Sequence, residues 1–243
     1  MDDVFEARLA GHQVRYAFRY PKTGQYFFPR LERCDGTADI LAREEDIARA
    51  HKLIPEENAE DYAEFKALIS CTARFLLRWK CTLFHAVALL FRGKAWLLTA
   101  PSGTGKTTQF MNWRKLLPAE ITMISGDMPV IEDCADGSIR VYPSYWNGKE
   151  GLGSILSAPM GGIVLLEQGG ENSMAPLSPR EAIEGLFSQF AYVPETENEI
   201  RALCRLLDAM LRRVPVWRLT NKGDLASTEL LRKTLAGGTD ETI

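Results

Sequence analysis

The chain has 243 residues, 46% of them hydrophobic and 25% charged, and its 29 lysines and arginines against 32 aspartates and glutamates leave a formal net charge of −3. That suits one large globular domain, or a core domain with a small appendage, and gives no ground for expecting a nucleic-acid partner. The five cysteines (Cys34, Cys71, Cys81, Cys134, Cys204) include no Cys-x-x-Cys pair and there are three histidines (His12, His51, His85), so neither a disulfide framework nor a zinc cluster is expected. Reduced thiols in a cytoplasmic protein are the expectation. Met1-Asp2-Asp3-Val4 is acidic, with no basic segment leading an apolar one, and the longest apolar run, Leu83 to Phe91, is interrupted by His85. Neither a secretory signal nor a membrane partner is therefore expected.

In chain order, residues 4–18 alternate loosely, with Val14, Tyr16 and Phe18 on one face, and predict a strand or hairpin. Turn signals at Pro21-Lys22-Thr23-Gly24 and Asp35-Gly36 punctuate an irregular stretch up to Ala50. Over 57–79, Tyr62, Phe65, Leu68, Ile69, Thr72, Phe75, Leu76 and Trp79 recur at spacings of three and four, which predicts an amphipathic helix. Thr82 to Phe91 and Lys94 to Thr99 flank Arg92-Gly93 and predict an antiparallel hairpin. A helix from the Lys106 region to near Pro118 follows, then a strand at Ile121–Ser125 and a hairpin around Asp136-Gly137. Residues 143–161 predict a long loop, and Gly162 to Glu167 a buried strand. Ser178-Pro179-Arg180-Glu181 and Thr196-Glu197-Asn198-Glu199 are capping boxes that start two helices, the second burying Ile200, Leu203, Leu206, Leu207, Met210 and Leu211. Val214 to Leu219 predicts a strand and Asp224 to Leu235 a last helix.

The stretch that carries chemistry is Ala100-Pro101-Ser102-Gly103-Thr104-Gly105-Lys106-Thr107-Thr108, between a strand and a helix. In a phosphate-binding P-loop of this layout the amides of Ser102, Gly103, Thr104, Gly105, Lys106, Thr107 and Thr108 cradle phosphates. Lys106 reaches the β- and γ-phosphates, and the Thr107 hydroxyl ligates Mg²⁺. Ala100 replaces the first glycine of the strict motif, and a glycine-rich turn that merely caps a helix is the plainer alternative. Asp127, at the end of a strand, can hold Mg²⁺ or take a proton from an attacking hydroxyl, or it can simply cap a turn before Pro129. His85 sits in an apolar strand, in line with Leu83 and Val87, where a satisfied core histidine is the ordinary reading. Its strand is nevertheless the partner of the P-loop strand. The segment Tyr145-Trp146-Asn147-Gly148-Lys149-Glu150-Gly151 is either a substrate clamp, with Lys149 offering a cation to a transferring phosphoryl group, or a solvated surface loop.

Phe84-His85-Ala86, the hairpin, Ala100 to Thr107, Ser125-Gly126-Asp127 and Trp146 to Gly151, in that order, resemble the catalytic domain of HPr kinase/phosphorylase, and more closely the small HPr-kinase-related proteins of bacteria. The resemblance covers about residues 80–220. It implies an α/β P-loop fold of the HPr kinase and PEP carboxykinase type, with a mixed sheet and flanking helices, as residues 81–243. Residues 1–80 would then be a small α+β segment for substrate recognition. It further implies ATP and Mg²⁺ as cofactors, transfer of the γ-phosphoryl group to a serine hydroxyl of a protein or peptide, Asp127 as general base, and His85 facing the site. Members are often oligomers, so a homo-oligomer is among the expectations. The chain departs from the family at Met128, where a second aspartate is usual, which leaves Glu132 as a helper for Mg²⁺; the C-terminal signature for HPr and phosphorolysis is also missing. Two other readings stay open: a small-molecule kinase or PEP-carboxykinase-like enzyme, and a catalytically weak nucleotide-binding accessory protein.

Overall fold

Val4–Leu9 (β1) and His12–Ala17 (β2) pair as an antiparallel hairpin. Its two-residue turn, Ala10-Gly11, has both φ angles positive (48° and 80°), the twist that suits such a hairpin. The computed structural model describes residues 3–27, 29–54, 59–148 and 151–237. Glu32–Cys34 (β3) lies along β1 and Ile40–Leu41 (β4) runs parallel to β2, giving a small sheet in the order β3-β1-β2-β4. Glu44–His51 (α1) and Glu60–Leu76 (α2) follow. The apolar stripe read over 57–79 is thus a helix from 60 to 76, continued by a 3-10 turn at Leu77–Trp79. Residues 57 and 58 lie outside the described residues. Buried Glu64 on α2 accepts hydrogen bonds from the Arg19 amide (2.8 Å), the Tyr20 amide (3.0 Å) and the Thr23 hydroxyl (2.6 Å), which fastens the chain after β2 to this helix.

The larger sheet begins with Cys81–Leu83 (β5), Val87–Phe91 (β6) and Lys94–Thr99 (β7). After Lys106–Leu116 (α3) come Ile121–Ser125 (β8), Val130–Asp133 (β9) and Ile139–Tyr142 (β10). Ala158–Gln168 (β11), Ser173–Pro176 (β12), Pro179–Phe187 (α4), Glu197–Arg213 (α5), Val216–Asn221 (β13) and Leu225–Gly237 (α6) complete it. The strand order is β5-β9-β10-β11-β7-β6-β8, with β13 also on β11 and β12 on β13. The sheet is mixed: β6–β7 is the antiparallel hairpin expected around Arg92-Gly93, whereas β11 runs parallel to both β7 and β13.

β11 serves two neighbourhoods, pairing with β10 at Ala158 and Pro159, then with β7 from Met160 and with β13 from Ile163. It shifts register between Met160 and Gly162. Gly161 and Gly162 make the shift possible, because a Cβ on either would come within 2.9 Å of the Trp96 ring. The expected loop over 143–161 therefore ends at residue 157. Likewise the strand expected over 82–91 is two strands, broken at Phe84-His85-Ala86. The three amides there pair with the carbonyls of Pro129, Gln189 and Asp127 rather than with one neighbouring strand.

The faces of β6 and β7 divide the core. Val87, Leu89, Phe91, Trp96 and Leu98 face α3 and α6, joining Phe110, Trp113, Leu231 and Leu235. Ala88, Ala95 and Leu97 face a larger cluster that reaches from α4 and α5 through α2 to the small sheet, so one apolar body runs across residue 80. Burial on both faces is why these strands carry apolar residues at successive positions. Both capping boxes form as the spacing requires, at Ser178 and at Thr196. Ile200, expected inside, is 44% exposed because it opens α5 before the helix reaches the core. Among the described residues no helix is long and apolar enough to cross a membrane.

Candidate functional site

β7 delivers the chain at Thr99 into a six-residue turn, and α3 starts at Lys106. Ala100 is buried in the cluster between the sheet and α3, which accounts for a methyl group where a glycine would be usual. Gly103 (φ 81°) and Gly105 (φ 106°) adopt left-handed backbone that a side chain would strain. Gly105 caps α3 with no side-chain hydrogen bond, so among the described residues the first-turn amides have no capping side chain. The Lys106 side chain is buried and folds back over the turn, its Nζ donating to the carbonyls of Ala100 (2.8 Å) and Pro101 (3.3 Å). Burial holds its pKa below the ordinary lysine range, opposed by the charge of Asp127.

A cavity of about 570 Å³ opens over this turn. Ser102, Gly103, Gly105, Lys106, Thr107 and Thr108 line one side, and His85, Gly126 and Asp127 line another. His85 is held from behind: its Nδ1 is 3.1 Å from Gln189 Oε1, its amide donates to the Gln189 carbonyl (2.8 Å), and its carbonyl accepts from the Thr99 hydroxyl (2.7 Å). That leaves Nε2 facing Asp127 Oδ1 at 3.5 Å. Burial, reinforced by the Lys106 charge, lowers the imidazole pKa, so the ring is neutral near pH 7. Asp127 is in turn fixed by its carbonyl, which accepts from the Ala86 amide at 2.9 Å.

The third wall is the segment from Tyr145 to Gly148. It is no solvated loop: Ser144, Trp146 and Asn147 are buried, the Trp146 ring packs against Phe27 and Phe65, and the Trp146 carbonyl accepts from the Met128 amide at 3.1 Å. Gly126 allows this approach, since a Cβ there would lie 2.4 Å from the Asn147 carbonyl oxygen.

Most of the residues singled out in the sequence thus meet around one cavity. Thr104 faces a shallow neighbouring cleft with Glu167 and Gln168, its hydroxyl donating to the Pro101 carbonyl. Lys149 lies outside the described residues. Glu132 is not among the lining residues; it sits on β9, opposite Cys81 and bonded to Tyr142, so its expected help with Mg²⁺ has no geometric basis. The sequence reading missed Tyr26, Tyr62, Phe65 and Lys66, which supply the remaining wall, and Gln189 behind His85. Tyr62 and Phe65 belong to the α2 stripe, where facing a cavity and facing the core leave the same periodicity; Gln189 carries no local signal.

No protein-family model matches the chain, and no curated protein matches it. Among solved structures it is similar to the HPr(Ser) kinase/phosphatase from Coxiella burnetii, with 10% sequence identity and a TM-score of 0.36 over 65% of this chain and 95% of that one. A likeness of that degree leaves function to be derived from the site itself.

Proposed function

We propose that this chain is an ATP-dependent kinase of the HPr-kinase type that phosphorylates a serine hydroxyl on a protein or peptide. The observation that carries the reading is the convergence of the turn at 100–106, buried Lys106, Asp127 and His85 on one cavity. Uncapped amides at the start of a helix, left-handed glycines and a buried lysine are the groups that hold a phosphate chain, so the residues fit a nucleotide. ATP with Mg²⁺ supplies the transferable phosphoryl group and the cation that offsets its charge.

The amides of Ser102, Gly103 and Gly105 to Thr108 and the Lys106 ammonium would hold the phosphate oxygens, and the Thr107 hydroxyl and Asp127 would hold the cation. Asp127 also takes the proton from the acceptor hydroxyl as that oxygen attacks. Neutral His85 adds no second positive charge beside Lys106. Tyr26, Tyr62, Phe65 and Trp146 give the acceptor an aromatic wall, which gives residues 1–80 a part in recognising it. No arginine lines the cavity among the described residues, which favours a peptide hydroxyl over a small multiply charged acid.

The test is calorimetric ATP–Mg²⁺ binding beside transfer of labelled phosphate to serine-containing peptides. Lys106→Ala should weaken nucleotide binding roughly 10- to 100-fold, the cost of removing a buried charge-assisted donor. Asp127→Asn should still bind nucleotide while transfer falls by about 10² or more. Transfer at the normal rate by Asp127→Asn would remove the base assignment; nucleotide bound tightly by the parent chain with no transfer to any acceptor would favour the accessory role.

A further inference from the structure

Away from this cavity, three metal-ligating side chains from distant parts of the chain meet. His12 opens β2, Cys81 opens β5 and Glu132 lies in β9, and a ligand atom of each falls within 4.8 Å of the other two. Cys81 and Glu132 are directly opposed across antiparallel strands, so their side chains share one face of the sheet. The His12 ring lies flat on Trp79, with centroids 4.3 Å apart and planes within 4°. Its Nε2 is buried without a hydrogen-bond partner among the described residues. Cys81 is fully buried, its thiol 3.3 Å from the Trp79 carbonyl, and the Tyr142 hydroxyl donates to Glu132 Oε2 at 2.6 Å.

An imidazole nitrogen buried without a partner next to a thiol and a carboxylate is costly unless something joins them. Sulfur and nitrogen donors select a borderline ion such as zinc over magnesium or calcium. We propose that His12 Nε2, Cys81 Sγ and the Glu132 carboxylate bind one zinc ion, which fastens the amino-terminal hairpin to the β5–β9 edge of the large sheet. Binding replaces zinc–water bonds with zinc–nitrogen, zinc–sulfur and zinc–oxygen bonds and releases the Cys81 thiol proton to solvent, with no change of oxidation state. The Tyr142 hydroxyl is the outer partner that orients Glu132, and the Trp79 ring sets the plane of His12.

The test uses the full chain, stripped with a chelator and free of nucleotide, titrated with zinc against a chromophoric chelator and separately with Co²⁺. One equivalent of zinc should bind, and the Co²⁺ spectrum should show a thiolate-to-metal charge-transfer band that Cys81→Ser abolishes. Tyr142→Phe, which removes no ligand, should bind zinc about 10-fold or more weakly, and Asp127→Asn should bind it as the parent does. If Cys81→Ser does not fold, the parent Co²⁺ spectrum and Tyr142→Phe decide. No stoichiometric zinc, a cobalt spectrum without the thiolate band, unchanged affinity in Tyr142→Phe, or an affinity that falls in Asp127→Asn would each overturn the site.

Discussion

Gly126→Ala is the substitution in which fold and site are most directly coupled. The added Cβ would lie 2.4 Å from the Asn147 carbonyl oxygen, 3.2 Å from its carbonyl carbon and 3.2 Å from the Leu152 carbonyl oxygen. All three are backbone atoms, so no side chain can rotate out of the way. Ordinary contact begins near 3.4 Å, so either the backbone at Asn147 and Leu152 retreats by about 1 Å or the chain at Asp127 does. Retreat also stretches the bonds that hold this segment, from the Met128 amide to the Trp146 carbonyl (3.1 Å) and from the Ser154 amide to the Ile124 carbonyl (3.3 Å). Overpacking of this kind costs about 1–3 kcal/mol, and each weakened bond adds a fraction of about 1 kcal/mol. A loss of about 2–3 kcal/mol is expected, a drop of roughly 5–10 °C in melting temperature for a chain of this size. A wall displaced by about 1 Å should also slow transfer on the order of 100-fold. Urea denaturation followed by circular dichroism, with transfer rates on the same preparations, reads both effects. A Gly126→Ala protein with the parent's urea midpoint and transfer rate would show that the 126–147 approach does not exist in solution.

Glu64→Gln turns one of two accepting oxygens into a donor facing either the Arg19 amide or the Tyr20 amide and Thr23 hydroxyl, and should lower the stability read from the urea midpoint by about 1–3 kcal/mol with an unchanged slope. For His85, whose pKa is lowered by burial and by Lys106, the unfolded chain takes up the proton first as pH falls. Stability present above the ordinary imidazole value of about 6.5 should therefore be lost as pH drops from there toward the lower folded-state value. His85→Gln should flatten that slope; midpoints measured across the acid range that fall equally in both proteins would assign the slope to other groups.

What the sequence shows of this fold is what short-range rules decide. The β6–β7 hairpin is legible because Arg92-Gly93 can take two positive φ angles (49° and 73°), and the starts of α4 and α5 because a capping box is complete within four residues. The turn at 100–106 is legible for the same reason. The path through Phe84-His85-Ala86 is not, because its three amides find carbonyls in two separate segments, 127–129 and Gln189, which no alternation pattern contains. Nor is the meeting of His12, Cys81 and Glu132, since the spacing rules that predict metal sites look for ligands close together in the chain. The aromatic wall is half legible: periodicity places Tyr62 and Phe65 on the inner side of α2, but whether that side meets core or cavity depends on how closely the 145–148 segment approaches.

Position 128 shows the same limit from the side of chemistry. The resemblance makes Met128 a missing carboxylate, yet in the fold Asp127 and Met128 serve different spaces. Asp127 lines the cavity with Lys106 and His85, while Met128 packs on the larger core and lines the cleft between α1 and α2 with Asp46, Arg49, Ile69 and Ala191. The Ala86–Asp127 and Met128–Trp146 backbone bonds fix the two residues against different neighbours at the bend after β8. A carboxylate placed at 128 would thus replace a methionine packed on the larger core beside the buried Asp46, and should cost about 1–3 kcal/mol of stability. Met128→Asp should therefore lower the urea midpoint and leave the Mg²⁺ requirement for nucleotide binding and transfer where it was. A gain of about tenfold in either would mean that the backbone turns position 128 into the cavity when nucleotide binds, and that the lone carboxylate of Asp127 is not the whole of the acid–base machinery.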